Sequence, residues 1–480
     1  MNGSHKSIGF QGAVGAGGFP NQAVSSLLRV PPKNPALVVG WWLLALELLI
    51  AYSRFFDVIL SGYHIPAAVY ALLIAFLLVS GAIFRIFSSP VAWFALGFTV
   101  WVCVTLPFSV WKTGSLDSVN RALQCLIIFV AVSSLAPTAK DCIRMLYVLG
   151  IATALGALLG FFFASMESGR LEMVSGSFRD PNEYAMTMLM GLPLLAFMVR
   201  TGNTAVRIAA VGMMVLNVLI FLETGSRGGM IALLVMGFIL FWSVSPAKKI
   251  AVAIVAVVLI PLSFLILPSY LQKRYFTFFE ADESGPMSSQ ERMRLQGADV
   301  ASTEGRMELL LASLKLTAEH PLFGVGPGNF PVAYFDESKA AGVRVAWNVN
   351  HNTYTQLSCE TGIPGALMFI AFLLTALTRL NRVVKTGAAR GQPELAKAAY
   401  HLWLSLVAVC AAGFFLSLGY SAIFYVLAGL ALAFDRVVSS SEKSLQPAPV
   451  FVRASGVNAP PLAIPAVPKR LPRSMRRGRH

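Results

Sequence analysis

One histidine, His351, ends a long polar stretch and is followed by Asn352-Thr353-Tyr354 and an apolar run that re-enters a membrane span. An imidazole there can take a proton from an incoming hydroxyl at neutral pH. Three arginines are candidates to work beside it. Arg227 lies directly before Gly228-Gly229 at the start of an apolar helix, and Arg306 leads the amphipathic run GRMELLLASLKLTAEH. A cation at a helix N-terminus opposes the macrodipole by about 0.3–1 kcal/mol. A bound anion turns that cost into a two-part site of helix N–H groups plus guanidinium. Arg179, within SFRDPNEYA, is the third. A guanidinium stays charged and can bind phosphate oxygens bidentately.

Each of these residues also has a plain structural reading. Asn352 is a favoured helix cap, so His351-Asn352 also fits a simple turn. Arg227 can pair with Glu223, Arg306 with Glu304 or Glu308, and Arg179 with Asp180 or Glu183. His320 before Pro321 suits a local cap, and His64 an interfacial loop. His5, His401 and His480 fall on or near the opposite side of the membrane.

The elements that must position these groups are membrane helices. Hydrophobic residues make up 56% of the chain and charged residues 13%, with a mean hydropathy of +0.68. Soluble domains carry roughly 25% charge, so the chain is expected to be an all-α polytopic membrane protein. Apolar segments near 36–52, 66–84, 91–107, 119–136, 145–164, 184–199, 208–223, 229–244, 251–268, 357–377, 399–418 and 420–437 give about twelve spans. The division is a tail over 1–35, helices 1–9 over 36–268, a large loop over 269–352, helices 10–12 over 353–437 and a tail over 438–480. Gly225 and Gly419 mark the shortest junctions.

Charge sets the orientation. With the N-terminus inside, the inner loops and tails hold most of the Lys and Arg. The short outer segments hold only Arg54, Lys112, Arg121, Arg170, Arg179 and Arg227. The net charge of +15 is then a property of the inner face, suited to anionic membrane lipid, and gives no case for nucleic acid. Residues 1–35 lack the compact apolar core of a signal peptide and read as a disordered inner tail, as does the basic, Pro-rich 438–480. No Cys-x-x-Cys pair exists among Cys103, Cys125, Cys142, Cys359 and Cys410, which argues against a disulfide framework or a zinc site. The acidic clusters Glu280, Asp282, Glu283 and Asp336-Glu337 read as solvated surface, so no metal and no cofactor is expected. Glu47 inside the first span is unusual, since an intramembrane carboxylate should be paired or functional.

The outer loop 269–352 has internal order. Met307, Leu310, Leu311 and Leu314 recur at helical spacing, as in a helix lying on the membrane or covering a cavity. His320-Pro321 ends it, and the glycines of FGVGPGNF allow tight turns. The order of an Arg-led helix, HPLFGVGPGNF and HNTYTQLSCETGIPG resembles the O-antigen ligase and O-antigen polymerase superfamily. SFRDPNEYA and TGSRGG are also similar to family segments. The close resemblance covers roughly 170–380.

The resemblance implies a GT-C-like fold and a glycosyltransferase working without a nucleotide sugar at the periplasmic face of the bacterial inner membrane. The donor would be a glycan on undecaprenyl diphosphate. The acceptor would be a hydroxyl of another glycan, of lipid A core or of a protein. Such a displacement needs a base for the acceptor proton and cations for the leaving diphosphate. His351 suits the first role, and Arg227, Arg306 and Arg179 the second. Direct displacement implies inversion at the anomeric carbon. The rival is a transporter or flippase for lipid-linked sugars, which should show two related halves and interrupted helices near the midplane. The sequence shows no such repeat.

Overall fold

The structure, a computed structural model, describes residues 34–55, 65–246 apart from 168 and 174–175, a few positions between 249 and 265, and then 267–276, 303–342, 347–389 and 392–444. The described residues are 83% helical with almost no sheet, as in an all-α polytopic membrane protein. The helices are α1 (Pro35–Ser53), α2 (Ile65–Val79), α3 (Pro90–Thr105), α4 (Lys112–Leu135), α5 (Ala139–Phe163), α6 (Pro181–Thr201), α7 (Thr204–Glu223) and α8 (Arg227–Ser243). They continue as α9 (Ser269–Phe276), α10 (Thr303–Glu319), α11 (Phe330–Ala340), α12 (Thr353–Ala389), α13 (Pro393–Ala412) and α14 (Ala422–Ser444). A two-stranded antiparallel hairpin, β1 (Ser165–Glu167) and β2 (Arg170–Glu172), joins α5 towards α6.

Nine of the described helices are long and apolar enough to cross a bilayer, and α2 and α8 are shorter apolar helices of 15 and 17 residues. The expected span at 251–268 falls almost wholly outside the described residues, as do both tails and the Glu280–Glu283 cluster. α14 lies deepest, with Phe424, Tyr425, Leu427, Ala428, Leu430 and Ala431 fully enclosed. Lipid tails are as apolar as leucine, so close packing rather than water exclusion holds such helices together. Gly429 lets α14 approach the Phe129 carbonyl and Val132 of α4.

Two boundaries differ from the sequence expectation, and both shape the site. The expected span 357–377 is part of a longer element broken at Gly362, whose φ of 73° and ψ of 174° leave the helical region. Only glycine adopts that conformation readily, and a Cβ there would collide with the Pro321 and Leu322 carbonyls. Pro364 then starts the long membrane helix. A short helix over residues 353–361 therefore stands apart at one end of the bundle. The expected span 399–418 instead ends at Ala412, leaving 413–421 as a non-helical link.

The short helix leaves its last carbonyls without intrahelical partners, and the segment 321–330 together with Trp101 of α3 supplies donors for them. Val325 N–H donates to Cys359 O (2.8 Å), Gly326 N–H to Glu360 O (3.0 Å) and the Trp101 indole to Thr361 O (2.8 Å). Ile363 N–H returns to Pro321 O at 2.8 Å. Gly324, at a φ of 68°, lies where a Cβ would strike the Cys359 and Glu360 backbone. Replacing Gly362 by Ala should thus lower stability by about 1–3 kcal/mol. Gly237→Ala on α8, where an added Cβ meets nothing within 4 Å, should leave it nearly unchanged. Thermal unfolding of both purified variants in detergent checks this, and equal melting temperatures would contradict it.

Candidate functional site

His351 sits at the other end of the short helix. Its φ of 57° is left-handed, uncommon for a residue other than glycine and a mark of an over-determined position. The surroundings supply the constraint. Its N–H donates to Ser417 Oγ (2.8 Å), Thr353 N–H to Gly413 O (2.8 Å) and Thr353 Oγ1 to Leu416 O (2.7 Å). Asn352 caps the short helix by accepting from Tyr354 and Thr355 N–H at 3.0 and 3.1 Å. The capping role weighed for this pair therefore falls to Asn352, leaving the imidazole to face a cavity.

That cavity has a volume of about 240 Å³ and is lined by Arg227, Gly228, Ile231, Arg306, Met307, Leu310, Asn350, His351, Asn352, Phe414 and Phe415. Three residues far apart in sequence thus converge. Arg227 is the first residue of α8, whose N-cap Ser226 accepts from Gly229 N–H at 3.2 Å. Arg306 lies in the first described turn of α10, which already runs from Thr303, rather than opening the helix. The third arginine, Arg179, ends a 3-10 turn over Gly176–Arg179, is exposed, and is not among the cavity-lining residues. It lies instead near Glu172, whose carboxyl is pushed up by partial burial and by Glu167, with Arg170 and Arg179 opposing.

The α10 stripe divides between the cavity and the exposed surface, and a second stripe packs inward. Leu309, Ser313 and Leu316 form the buried face, packed with Val325, Phe330, Ala333, Tyr334 and Cys359. Met307 and Leu310 face the cavity, while Leu311 and Leu314 are exposed. Leucines at 309, 310 and 311 give the helix two apolar stripes at helical spacing. Periodicity alone cannot choose between them. The surface reading of Asp336-Glu337 is refined too, since Glu337 accepts from Lys315 Nζ at 2.7 Å, joined by Glu319 at 3.8 Å. No group of three or more His, Cys, Asp or Glu side chains suited to a metal occurs among the described residues.

Several contributors carried no signal read from the sequence. Phe414, Phe415 and Ser417 come from the 413–421 link, which looked like the end of a span. Asn350 is 3% exposed, accepts from Asn352 N–H and Thr355 Oγ1, and has a buried Nδ2 with no partner among the described residues. A buried donor of that kind lining a cavity suits an oxygen-rich ligand. Ser226 and Asn182, inside the TGSRGG and SFRDPNEYA segments but not among the candidate residues, bond to each other at 2.9 Å.

The electrostatics favour a neutral imidazole. Burial pushes the His351 pKa below the ordinary histidine value; Arg306 adds to that, Asp180 opposes it, and Arg170 acts with Arg306. The free base should then persist below pH ~6.5 and be lost only on further acidification. Removing Arg306 removes a charge that disfavours protonation, so Arg306→Ala should move the midpoint to higher pH. Diethyl pyrocarbonate acylates only neutral imidazole, so its rate at His351, followed by mass spectrometry against pH, reads that midpoint. A midpoint above 6.5 in the wild type, or an unmoved one in Arg306→Ala, would contradict the assignment.

No curated protein matches the chain. A family model described as O-Antigen ligase matches residues 212–370, the stretch holding α8, α10, the Gly-rich segment and the short helix. The resemblance to the O-antigen ligase superfamily is therefore shown over the residues that carry Arg227, Arg306 and His351.

Proposed function

We propose that the chain transfers an oligo- or polysaccharide from undecaprenyl diphosphate to an acceptor hydroxyl at the periplasmic face of the bacterial inner membrane. The convergence of His351, Arg227 and Arg306 on one cavity carries this reading, on a multi-pass protein of O-antigen ligase type. In the proposed step His351 takes the proton of the acceptor hydroxyl as its oxygen attacks the anomeric carbon. The bond from that carbon to the diphosphate oxygen breaks, and the diphosphate leaves with the electron pair. Arg227 and Arg306, with the N-terminus of α8, stabilise the growing charge. The attack comes from the face opposite the leaving group, so configuration inverts, and the two guanidinium groups serve where other enzymes use a metal ion. Arg179 serves, in this reading, outside the cavity.

The acceptor decides the name of the reaction. Lipid A core makes the protein a ligase, the end of another lipid-linked chain a polymerase, and a protein Ser or Tyr a protein glycosylase. Sizing the undecaprenyl-linked glycans of a strain lacking the gene separates these. Single repeat units that accumulate mean a polymerase; long chains mean a ligase or protein glycosylase.

His351→Ala should abolish transfer in that strain while the protein still inserts and folds. Arg227→Ala and Arg306→Ala should reduce it severely, and Lys at either place should restore only part, because the bidentate geometry is lost. Normal glycans with His351→Ala would remove the base and bring the transporter forward. Retention of configuration, read by NMR of donor and product, would exclude direct displacement.

A further inference from the structure

The turn that delivers Arg227 is held from outside by the hairpin. Arg170, at the start of β2, donates from Nε to Thr224 O at 2.9 Å and from Nη2 to Asn182 Oδ1 at 2.9 Å. That Asn182 oxygen also accepts from Ser226 Oγ at 2.9 Å, and the same Ser226 Oγ caps α8 by accepting from Gly229 N–H. Asn182 is itself fixed by Asp180 Oδ1, which accepts from its N–H at 2.8 Å and its Nδ2 at 3.0 Å. Thr224, Asn182 and Ser226 are all buried. One guanidinium therefore ties the first residue after α7, the first turn of α6 and, through Ser226, the first turn of α8.

This arrangement fixes the whole junction 224–227. Gly225 there has a φ of 59°, so the link between α7 and α8 is a sharp reversal rather than a continuous rod. A two-residue swing at that point would rotate the first turn of α8 and with it the direction of Arg227. The geometry calls for a planar fork, two donors aimed at two fixed acceptors, which a lysine ammonium on a flexible stem cannot reproduce. We infer that Arg170 is a positioning residue for transfer, holding Arg227 and the N-terminus of α8 in register with His351. The inference rests on the reading of Arg227 as a diphosphate ligand given above.

A double-mutant cycle in the full-length protein tests it, using initial transfer rates with a lipid-diphosphate-linked glycan donor. Arg170→Ala should lower the rate roughly tenfold to a hundredfold, the scale of an ångström-sized misplacement. Arg170→Lys should recover only a part. In the Arg227→Ala background, Arg170→Ala should cost no more than about twofold, because residues acting through one group are not additive. A residue that merely stabilised the fold would multiply with Arg227→Ala. Multiplying losses, or a fully active Arg170→Ala, would overturn the positioning role while leaving the reading of Arg227 intact. A fully active Arg227→Ala would instead overturn that reading. Should Arg170→Ala fail to accumulate in the membrane, Asn182→Ala, which removes the acceptor shared by Arg170 and Ser226, goes through the same cycle with the same expected non-additivity.

Discussion

The break at Gly362 is the constraint on which the cavity end of the molecule depends. A helix that ended at the membrane surface in the ordinary way would spend its last carbonyls on water or on its own C-cap. Here the carbonyls of Cys359, Glu360 and Thr361 are taken by Val325, Gly326 and the Trp101 indole. Leaving a buried group of this kind unpaired costs about 1–3 kcal/mol, so the Gly-rich segment and the short helix form together. The buried side chain of Glu360 sits at the same crossing, accepting from Gln356 Nε2, whose Oε1 in turn accepts from Gly419 N–H at 3.1 Å. One short helix is thereby fastened to the loop on one side and to the 413–421 link on the other. Its free end is what presents His351.

The opposite end of the bundle is built on different terms. Asp435 on α14, 5% exposed, meets Arg379 and Arg382 of α12, each at 3.3 Å. Removing one partner of such a group leaves a buried charge uncompensated. There a buried carboxylate meets two guanidinium groups, whereas Arg227 and Arg306 line one cavity together with His351. That asymmetry separates a structural cluster from a candidate site better than counting charged residues does.

Much of this was readable in the residues, for definable reasons. Apolar runs of about twenty residues fix where helices cross a bilayer, and a lone His-Asn after a long polar loop fixes where one polar group must stop and turn. What escaped is what tertiary contact decides. The stripe Met307-Leu310-Leu311-Leu314 and the buried stripe through Leu309 and Leu316 satisfy helical spacing equally, and only packing against Phe330 and Tyr334 selects the second. Phe414 and Phe415 look like the continuation of a span until Ala412 ends the helix. Arg170 looked like one more outer cation; its meaning lies in acceptors that are 12 and 54 residues away in sequence.

The placement of the cations also bears on the base. The charge of Arg306 that would hold a diphosphate is the same charge that, after burial, keeps the His351 imidazole neutral. On its own the Arg306 charge leaves the imidazole available but weakly basic. On the proposed reading a bound diphosphate, carrying the opposite sign, would offset that field, and the basicity of His351 would rise. As the anomeric bond breaks, negative charge grows on the diphosphate, at the moment when the imidazolium has to be stabilised. Holding the donor's anion and strengthening the base are, on the proposed reading, a single electrostatic event. The register between Arg227, Arg306 and His351 therefore counts for more than the strength of any one of their contacts.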